Sequence, residues 1–112
     1  MIAPVSIKNA NQWAELNMAL WPDVSIADAL EDLENGELPH EYLYLIGDEA
    51  VAFISLSLRH DYVEGTDSSP VGYLEGIYVK PDFRGKGIAG ALVDFAKEWA
   101  KKKGCIELAS DC

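Results

Sequence analysis

The run Arg84-Gly85-Lys86-Gly87 has the composition of an anion-binding turn. Glycine lets a backbone approach a ligand without a Cβ in the way. A helical pattern follows from Lys86, and the first N–H groups of a helix have no partners within it and lie at the positive end of its dipole. A basic glycine turn at a helix N-terminus therefore predicts a site for a pyrophosphate. The alternative is a plain turn whose glycines only permit the geometry.

A strand and a helix must position this turn, and the pattern of apolar residues predicts both. Residues 71–79 are rich in branched and aromatic side chains, which favour an extended backbone. Pro81 ends this strand because proline has no N–H to donate to a sheet. After the turn, apolar residues recur at helical spacing until Gly104, and they are Ile88, Leu92, Phe95, Ala96 and Trp99.

The rest of the chain supplies the other elements of one domain over residues 1–112. The predicted elements are a strand over 2–7, a helix over 11–20 capped by Asn9, a helix from about Ser25 to Asn35-Gly36, a hairpin of strands 41–46 and 50–59, and a strand over 105–109. Pro4 favours an edge position for the first strand. The order β-α-α-β-β-β-α-β predicts an α/β (α+β) fold, with a mixed sheet and helices on both faces.

Composition excludes several classes of protein. With 112 residues, 49% of them hydrophobic, the chain has room for one domain with one core. It has no run of 18 apolar residues and no basic-then-apolar N-terminus, so we expect neither a membrane span nor a secretory signal. Cys105 and Cys112 lack metal-ligand spacing, which predicts reduced thiols, no metal and a cytoplasmic location.

Charge is distributed unevenly along the chain. The formal net charge is −10; residues 1–82 hold 15 acids and 3 bases, whereas residues 83–112 hold 4 acids and 6 bases. The acidic part would attract a cationic second substrate, and its sign disfavours binding of nucleic acid. The alternative is an acidic surface that only keeps the protein dispersed.

The glycine turn resembles the acetyl-CoA signature of the GNAT N-acetyltransferase superfamily, [RQ]-x-x-G-x-[GA], matched by Arg84, Gly87 and Ala89. Neither the G-K-[ST] of a P-loop nor a G-x-G-x-x-G fingerprint is present. The resemblance implies a GNAT-like fold with acetyl-CoA as co-substrate. Backbone N–H groups near the end of the preceding strand would bind pantetheine, and those of the turn would bind pyrophosphate; the two sets are Ile77, Tyr78 and Val79, and Arg84, Gly85, Lys86, Gly87, Ile88 and Ala89.

A longer stretch, residues 59–79, is similar to the bacterial aminoglycoside 6′-N-acetyltransferases, as are Leu20-Trp21-Pro22-Asp23 and residues 108–112. This resemblance implies that the chain acetylates the 6′-amine of aminoglycoside antibiotics. Carboxylates and aromatic edges suit such polycations, and the implied substrate-binding residues are Trp21, Asp23, Tyr62, Glu64, Glu75 and Asp111. Each acidic loop residue has the alternative of a solvated turn former, and Trp21 that of a core residue at a helix end.

Glu75 is the candidate catalytic base within this resemblance. The amine must lose a proton, attack the thioester carbonyl and expel CoA thiolate, and Glu75 would accept the proton directly or through a water. No covalent enzyme intermediate is required. The alternative is an ordinary strand carboxylate.

The chain departs from this family at its C-terminal side. Members continue through a further helix and two strands, which usually carry a tyrosine that protonates the thiolate. Without them the fifth strand would have an unpaired edge, so we expect a fragment, a shortened chain or a homodimer. Two other functions stay open: a truncated, impaired module that binds CoA or aminoglycoside as an oligomer, and an N-acetyltransferase for another amine, against which the loop at 60–69 argues.

Overall fold

The computed structural model describes residues 1–23, 25, 27–28, 31, 40–59, 71–105 and 108–110. Within these ranges the strands are β1 (Ile2–Pro4), β2 (His40–Ile46), β3 (Glu49–Arg59), β4 (Val71–Val79) and β5 (Leu108–Ser110), and the helices are α1 (Ala10–Leu20) and α2 (Ile88–Lys102). The sheet order is β1-β2-β3-β4-β5. Successive strands from β1 to β4 pair antiparallel, whereas β5 pairs with β4 in parallel. The predicted mixed sheet is confirmed.

Among the fully described helices, α1 covers one face of the sheet and α2 covers the other. Leu43 and Phe53 are register partners on β2 and β3, and they pack with Trp13 of α1 in one buried cluster. The next register pair, Tyr42 and Ile54, points to the other side, where it packs against the apolar side chains of α2. Successive residues of a strand alternate between faces, so these pairs define an α1 face and an α2 face. The predicted helices on both faces are therefore present.

Helix α2 follows its predicted pattern closely. It buries Ile88, Leu92, Ala96 and Trp99 at helical spacing, while Phe95 is half-buried. Gly87 with φ of 81° precedes the helix, and Gly104 with φ of 84° follows it. Both angles lie in the left-handed region that favours glycine, so the two glycines set where the helix begins and ends.

Three local predictions need correction. Asn9 lies at the N-cap position of α1, but its Oδ1 accepts a hydrogen bond from the Ser6 N–H at 2.8 Å, so it closes the preceding 3-10 turn and leaves the α1 N–H groups uncapped by this side chain. Cys105 does not begin the fifth strand, because its N–H donates to Ala100 O at 2.9 Å and continues the C-terminal turn of α2. The first strand is also shorter than predicted and ends at Pro4.

The predicted second helix is only partly described. Ala27, Asp28 and Glu31 are helical, and Ser25 Oγ accepts a hydrogen bond from the Asp28 N–H at 3.1 Å, which is the geometry of an N-cap. The remainder of that helix and the loop at residues 60–70 lie outside the described residues. No helix in the described part of the chain is long and apolar enough to cross a bilayer.

Candidate active site

A β-bulge in β4 places Glu75. Ser55 of β3 is the register partner of Gly76 and Leu56 that of Leu74, so Glu75 is an extra residue between them. Bulges of this kind redirect side chains and are frequent beside active sites. Ser57 Oγ donates a hydrogen bond to Glu75 Oε1 at 2.8 Å. Ser57 follows Phe53 and Ser55 at alternate positions, so this half-buried carboxylate lies on the α1 face.

Trp21 packs directly against the bulge. A Cβ on Gly76 would lie 2.6 Å from the Trp21 ring and 2.9 Å from Leu20, so only glycine leaves room for the indole. The same ring meets Phe53 edge-on, with centroids 5.9 Å apart. Trp21 is therefore both a half-buried core contact and a neighbour of the residue beside Glu75. Asp23 is exposed in the turn that follows α1.

The other edge of β4 is open beyond the bulge. Strand β5 pairs only with Gly72–Leu74, so among the described strands none pairs with Gly76–Val79 on that side of β4. A groove of about 430 Å³ runs beside it, lined by Ala19, Leu20, Ile77, Tyr78, Val79, Arg84 and Ala89. An open strand edge offers backbone N–H and C=O groups to an extended ligand. The groove thus links the strand predicted to bind pantetheine with the start of α2.

The glycine turn lies between Arg84 and Ala89, which line one end of this groove. Gly85 has φ of 77° and Gly87 has φ of 81°, and a Cβ built on either would meet nothing within 4 Å. Their backbone therefore faces open space at a helix N-terminus, where N–H groups are free to bind an anion. Lys86 between them is exposed and adds positive charge.

Arg84 fastens the turn to β4. Its Nε donates to Val79 O at 2.9 Å, and its guanidinium lies 5.5 Å from the centre of the Tyr78 ring. Its own backbone N–H donates to Pro81 O at 3.3 Å. Because the Arg84 N–H is already bonded, the predicted pyrophosphate contact falls to the N–H groups from Gly85 to Ala89. Arg84 contributes a positive charge and also holds the turn in position against β4.

A second acid near the site, Glu41, was missed by the sequence reasoning. It lies on β2 opposite Ser55, only 8% exposed, and its Oε1 accepts a hydrogen bond from Trp13 Nε1 at 3.3 Å. Burial raises the pKa of Glu41 to about 7, the Ser55 and Trp13 hydrogen bonds oppose this rise, and the nearby charge of Glu75 adds to it. The alternation with Leu43, which puts Glu41 on an apolar face, was the signal available in the sequence.

The predicted substrate residues are thus placed unevenly. Glu75 and Trp21 come together at the bulge, and Asp23 lies in the exposed turn two residues after Trp21. Tyr62, Glu64 and Asp111 lie outside the described residues. Within the described ranges, no group of three His, Cys, Asp or Glu side chains is arranged to hold a metal ion.

Comparison with known proteins identifies the family. The model of the acetyltransferase (GNAT) family matches residues 9–112. An aminoglycoside N(6′)-acetyltransferase type 1 from Stenotrophomonas maltophilia is 46% identical over 107 residues, which are 92% of this chain and 69% of that protein. The protein of the same name from Acinetobacter genomosp. 13 is 43% identical, over 98% of this chain and 77% of its own length.

A solved structure gives the same answer in three dimensions. Aminoglycoside N-acetyltransferase AAC(6′)-Iy in complex with CoA matches this chain with a TM-score of 0.93 at 36% identity, over 100% of this chain and 76% of that one. The chain belongs to the acetyltransferase (GNAT) family and, within it, to the aminoglycoside 6′-N-acetyltransferases.

Proposed function

We propose that this protein transfers the acetyl group of acetyl-CoA to the 6′-amine of an aminoglycoside. One observation carries the proposal: the bulge places Glu75 where the open edge of β4 begins, and the groove along that edge ends at the α2 N-terminus. An acid for the amine and a channel for CoA thus meet at one point of the sheet. The substrate class is supported by a solved structure of AAC(6′)-Iy in complex with the bisubstrate analogue CoA-S-monomethyl-acetylneamine. That structure matches this chain with a TM-score of 0.91 at 36% identity, over 100% of this chain and 78% of that one.

Acetyl-CoA would lie along the groove. The N–H groups from Gly85 to Ala89 hold the pyrophosphate, and the open edge at Ile77–Val79 pairs with the pantetheine. A backbone N–H near this edge also polarises the acetyl carbonyl, which stabilises the oxyanion that forms on attack. Arg84 keeps the two parts in register, because its side chain bonds to the last carbonyl of β4.

Glu75 would act as the base. The protonated amine gives one proton to the Glu75 carboxylate, and its nitrogen then attacks the acetyl carbon. The carbon–sulfur bond breaks as a second proton leaves the nitrogen and the departing CoA sulfur takes it up. Ser57 donates a hydrogen bond to one carboxylate oxygen at 2.8 Å, which helps to orient the Glu75 carboxylate. Trp21 and Asp23, with Tyr62, Glu64 and Asp111, are proposed to bind the rest of the polycationic substrate.

Location and assembly complete the proposal. We propose a cytoplasmic protein, supported by Cys105, a buried free thiol of the kind that reducing compartments maintain. We also propose a homodimer, supported by β5, which among the described strands is bonded only to β4 and so leaves an edge that a second chain can pair with.

The direct test is a thiol-release assay on the 112-residue chain with acetyl-CoA. The acceptors are a kanamycin-type aminoglycoside and its 6′-hydroxyl analogue, which differs only at the reacting group. Release of CoA with the amine alone is expected. Acetyl-CoA binding by calorimetry without any release would instead favour the impaired binding module, and release with simple polyamines but not with aminoglycosides would favour another amine.

Replacing Gly87 by alanine tests the pyrophosphate site. Alanine at φ of 81° carries a strain of roughly 1–2 kcal/mol, so the turn distorts and we expect acetyl-CoA affinity to fall roughly five- to thirty-fold, measured by calorimetry. Gly104→Ala is the matched control, because Gly104 has φ of 84° and open space around it but lies at the opposite end of α2. Equal loss of affinity in both variants would contradict the assignment.

A further inference from the structure

Glu41 has no part in the mechanism above, yet it is a buried carboxyl on the same face of the sheet as Glu75. Its Oε2 has no hydrogen-bond partner among the described residues, and the carboxyl is held only by Ser55 and by a long bond from Trp13 Nε1 to Oε1 at 3.3 Å. An ionised carboxylate in such a place would lack the compensation that buried charges need. The geometry therefore favours a neutral, protonated Glu41 in the empty site.

The position of Glu41 relative to Glu75 follows from the register. Glu41 opposes Ser55, and Ser55 opposes Gly76, so these residues form one row across β2, β3 and β4, next to the bulge. Two strand spacings separate the backbones of β2 and β4, which is about 10 Å. Across a packed interior, charges at this distance interact with little screening by salt. A change of charge beside Glu75 therefore changes the electrostatic energy of the Glu41 carboxylate.

Few other described charged side chains lie near Glu41 and Glu75. On the α1 face the described titratable groups of β4 are Glu75, Tyr73 and Tyr78. The residues that α1 turns to the sheet, Trp13, Leu16 and Asn17, carry no charge, and Glu15 of α1 is exposed. The described side chains of β2 and β3 add no other charged group to this row. Among the described side chains, no cation is paired with Glu41; the Arg84 guanidinium lies farther along the sheet, against the ring of Tyr78.

We propose that Glu41 is a second, proton-holding acid of the acceptor site: it is neutral when the site is empty and releases its proton when a cationic amine occupies the site beside Glu75. This inference rests on the proposed function, since that function brings the cation there. The O–H bond of the Glu41 carboxyl breaks, the proton leaves to solvent, and the new carboxylate adds a second negative charge behind the amine. Glu41 is thus a positioning residue, because it acts on the substrate only through charge. Its raised pKa, about 7, lets the exchange occur near neutral pH.

The test follows the Glu41 carboxyl carbon by NMR in protein with ¹³C-labelled glutamate, across pH 5 to 9. The signal is assigned through bonds in the unmodified chain, so no variant has to fold. In the free protein we expect a midpoint near the value above, and a saturating kanamycin-type aminoglycoside should lower it by about one pH unit. A neutral sugar of similar size, as the control ligand, should leave it in place.

The outcomes separate the two proposals. A midpoint that moves with the amine, without CoA release in the thiol assay, upholds the role of Glu41 and contradicts the acetyl transfer. Acetyl transfer with a Glu41 midpoint that the amine does not move overturns the role of Glu41 alone. A free-protein midpoint at the ordinary glutamate value also overturns it. In kinetics, Glu41→Gln should remove one step near neutral pH from the kcat/KM profile, whereas Glu15→Gln, the same charge change at an exposed site, should retain it.

Discussion

Glutamine in place of Glu75 is expected to lower turnover of a 6′-amine by on the order of 10²- to 10⁴-fold at pH 7, the usual contribution of a general base. The amide keeps the shape of the side chain and still accepts the Ser57 hydrogen bond, but it cannot take a proton from the amine. Affinity for acetyl-CoA should change little, because the groove that we assign to CoA is lined by Ile77, Tyr78 and Val79 rather than by Glu75. The measurement pairs steady-state kinetics with calorimetric binding of acetyl-CoA.

Two controls make this result specific. Ser57→Ala removes the hydrogen bond but keeps the acid, so we expect a loss of only a few-fold, consistent with about 1 kcal/mol for such a bond. Glu49→Gln removes an acid at the opposite end of β3, where it pairs with Lys80 at 3.4 Å, and should leave turnover unchanged. An unchanged rate for Glu75→Gln would remove Glu75 from the role of base, while an equal loss for Glu49→Gln would point to net charge instead.

The parts of the fold that sequence reasoning found are those with a local cause. Strand β4 has its predicted bounds because its branched run ends at Pro81, and α2 follows because its apolar spacing continues to Gly104. The glycine turn was equally readable, since a left-handed φ has few other solutions than glycine. Its assignment to pyrophosphate stays a prediction.

The parts that were missed depend on contacts between distant residues. The bulge at Glu75 exists only in the register of β4 against β3, which no local pattern specifies. Trp13 and Glu41 are 28 residues apart, and their bond requires α1 to cross the α1 face at one angle. Cys105 has apolar neighbours that suit a strand, but its N–H donates to the Ala100 carbonyl at the end of α2 instead of to a neighbouring strand. Tertiary structure decided each of these cases over local propensity.

The second large effect is expected in the free energy of unfolding, which should depend on pH because of Glu41. Its pKa rises from an ordinary 4.5 to about 7 on folding, because burial disfavours the charged form. Below 4.5 the carboxyl is protonated in both states and contributes no pH dependence. Between 4.5 and 7 the unfolded chain gives up this proton and the folded chain keeps it, so stability falls as pH rises. Above 7 the loss is complete, on the order of 3 kcal/mol.

Glutamine at position 41 mimics the neutral acid and does not titrate. We therefore expect Glu41→Gln to match the unmodified protein at about pH 4.5 and to exceed its free energy of unfolding by on the order of 3 kcal/mol at pH 8, measured by urea denaturation at each pH. Glu15→Gln, exposed on α1, is the control and should differ from the unmodified protein by a small, pH-independent amount. A Glu41→Gln curve that runs parallel to the unmodified one would mean that Glu41 is already ionised when buried. The free-energy cost of burying that carboxylate would then have to be offset by a cation that the described residues do not include.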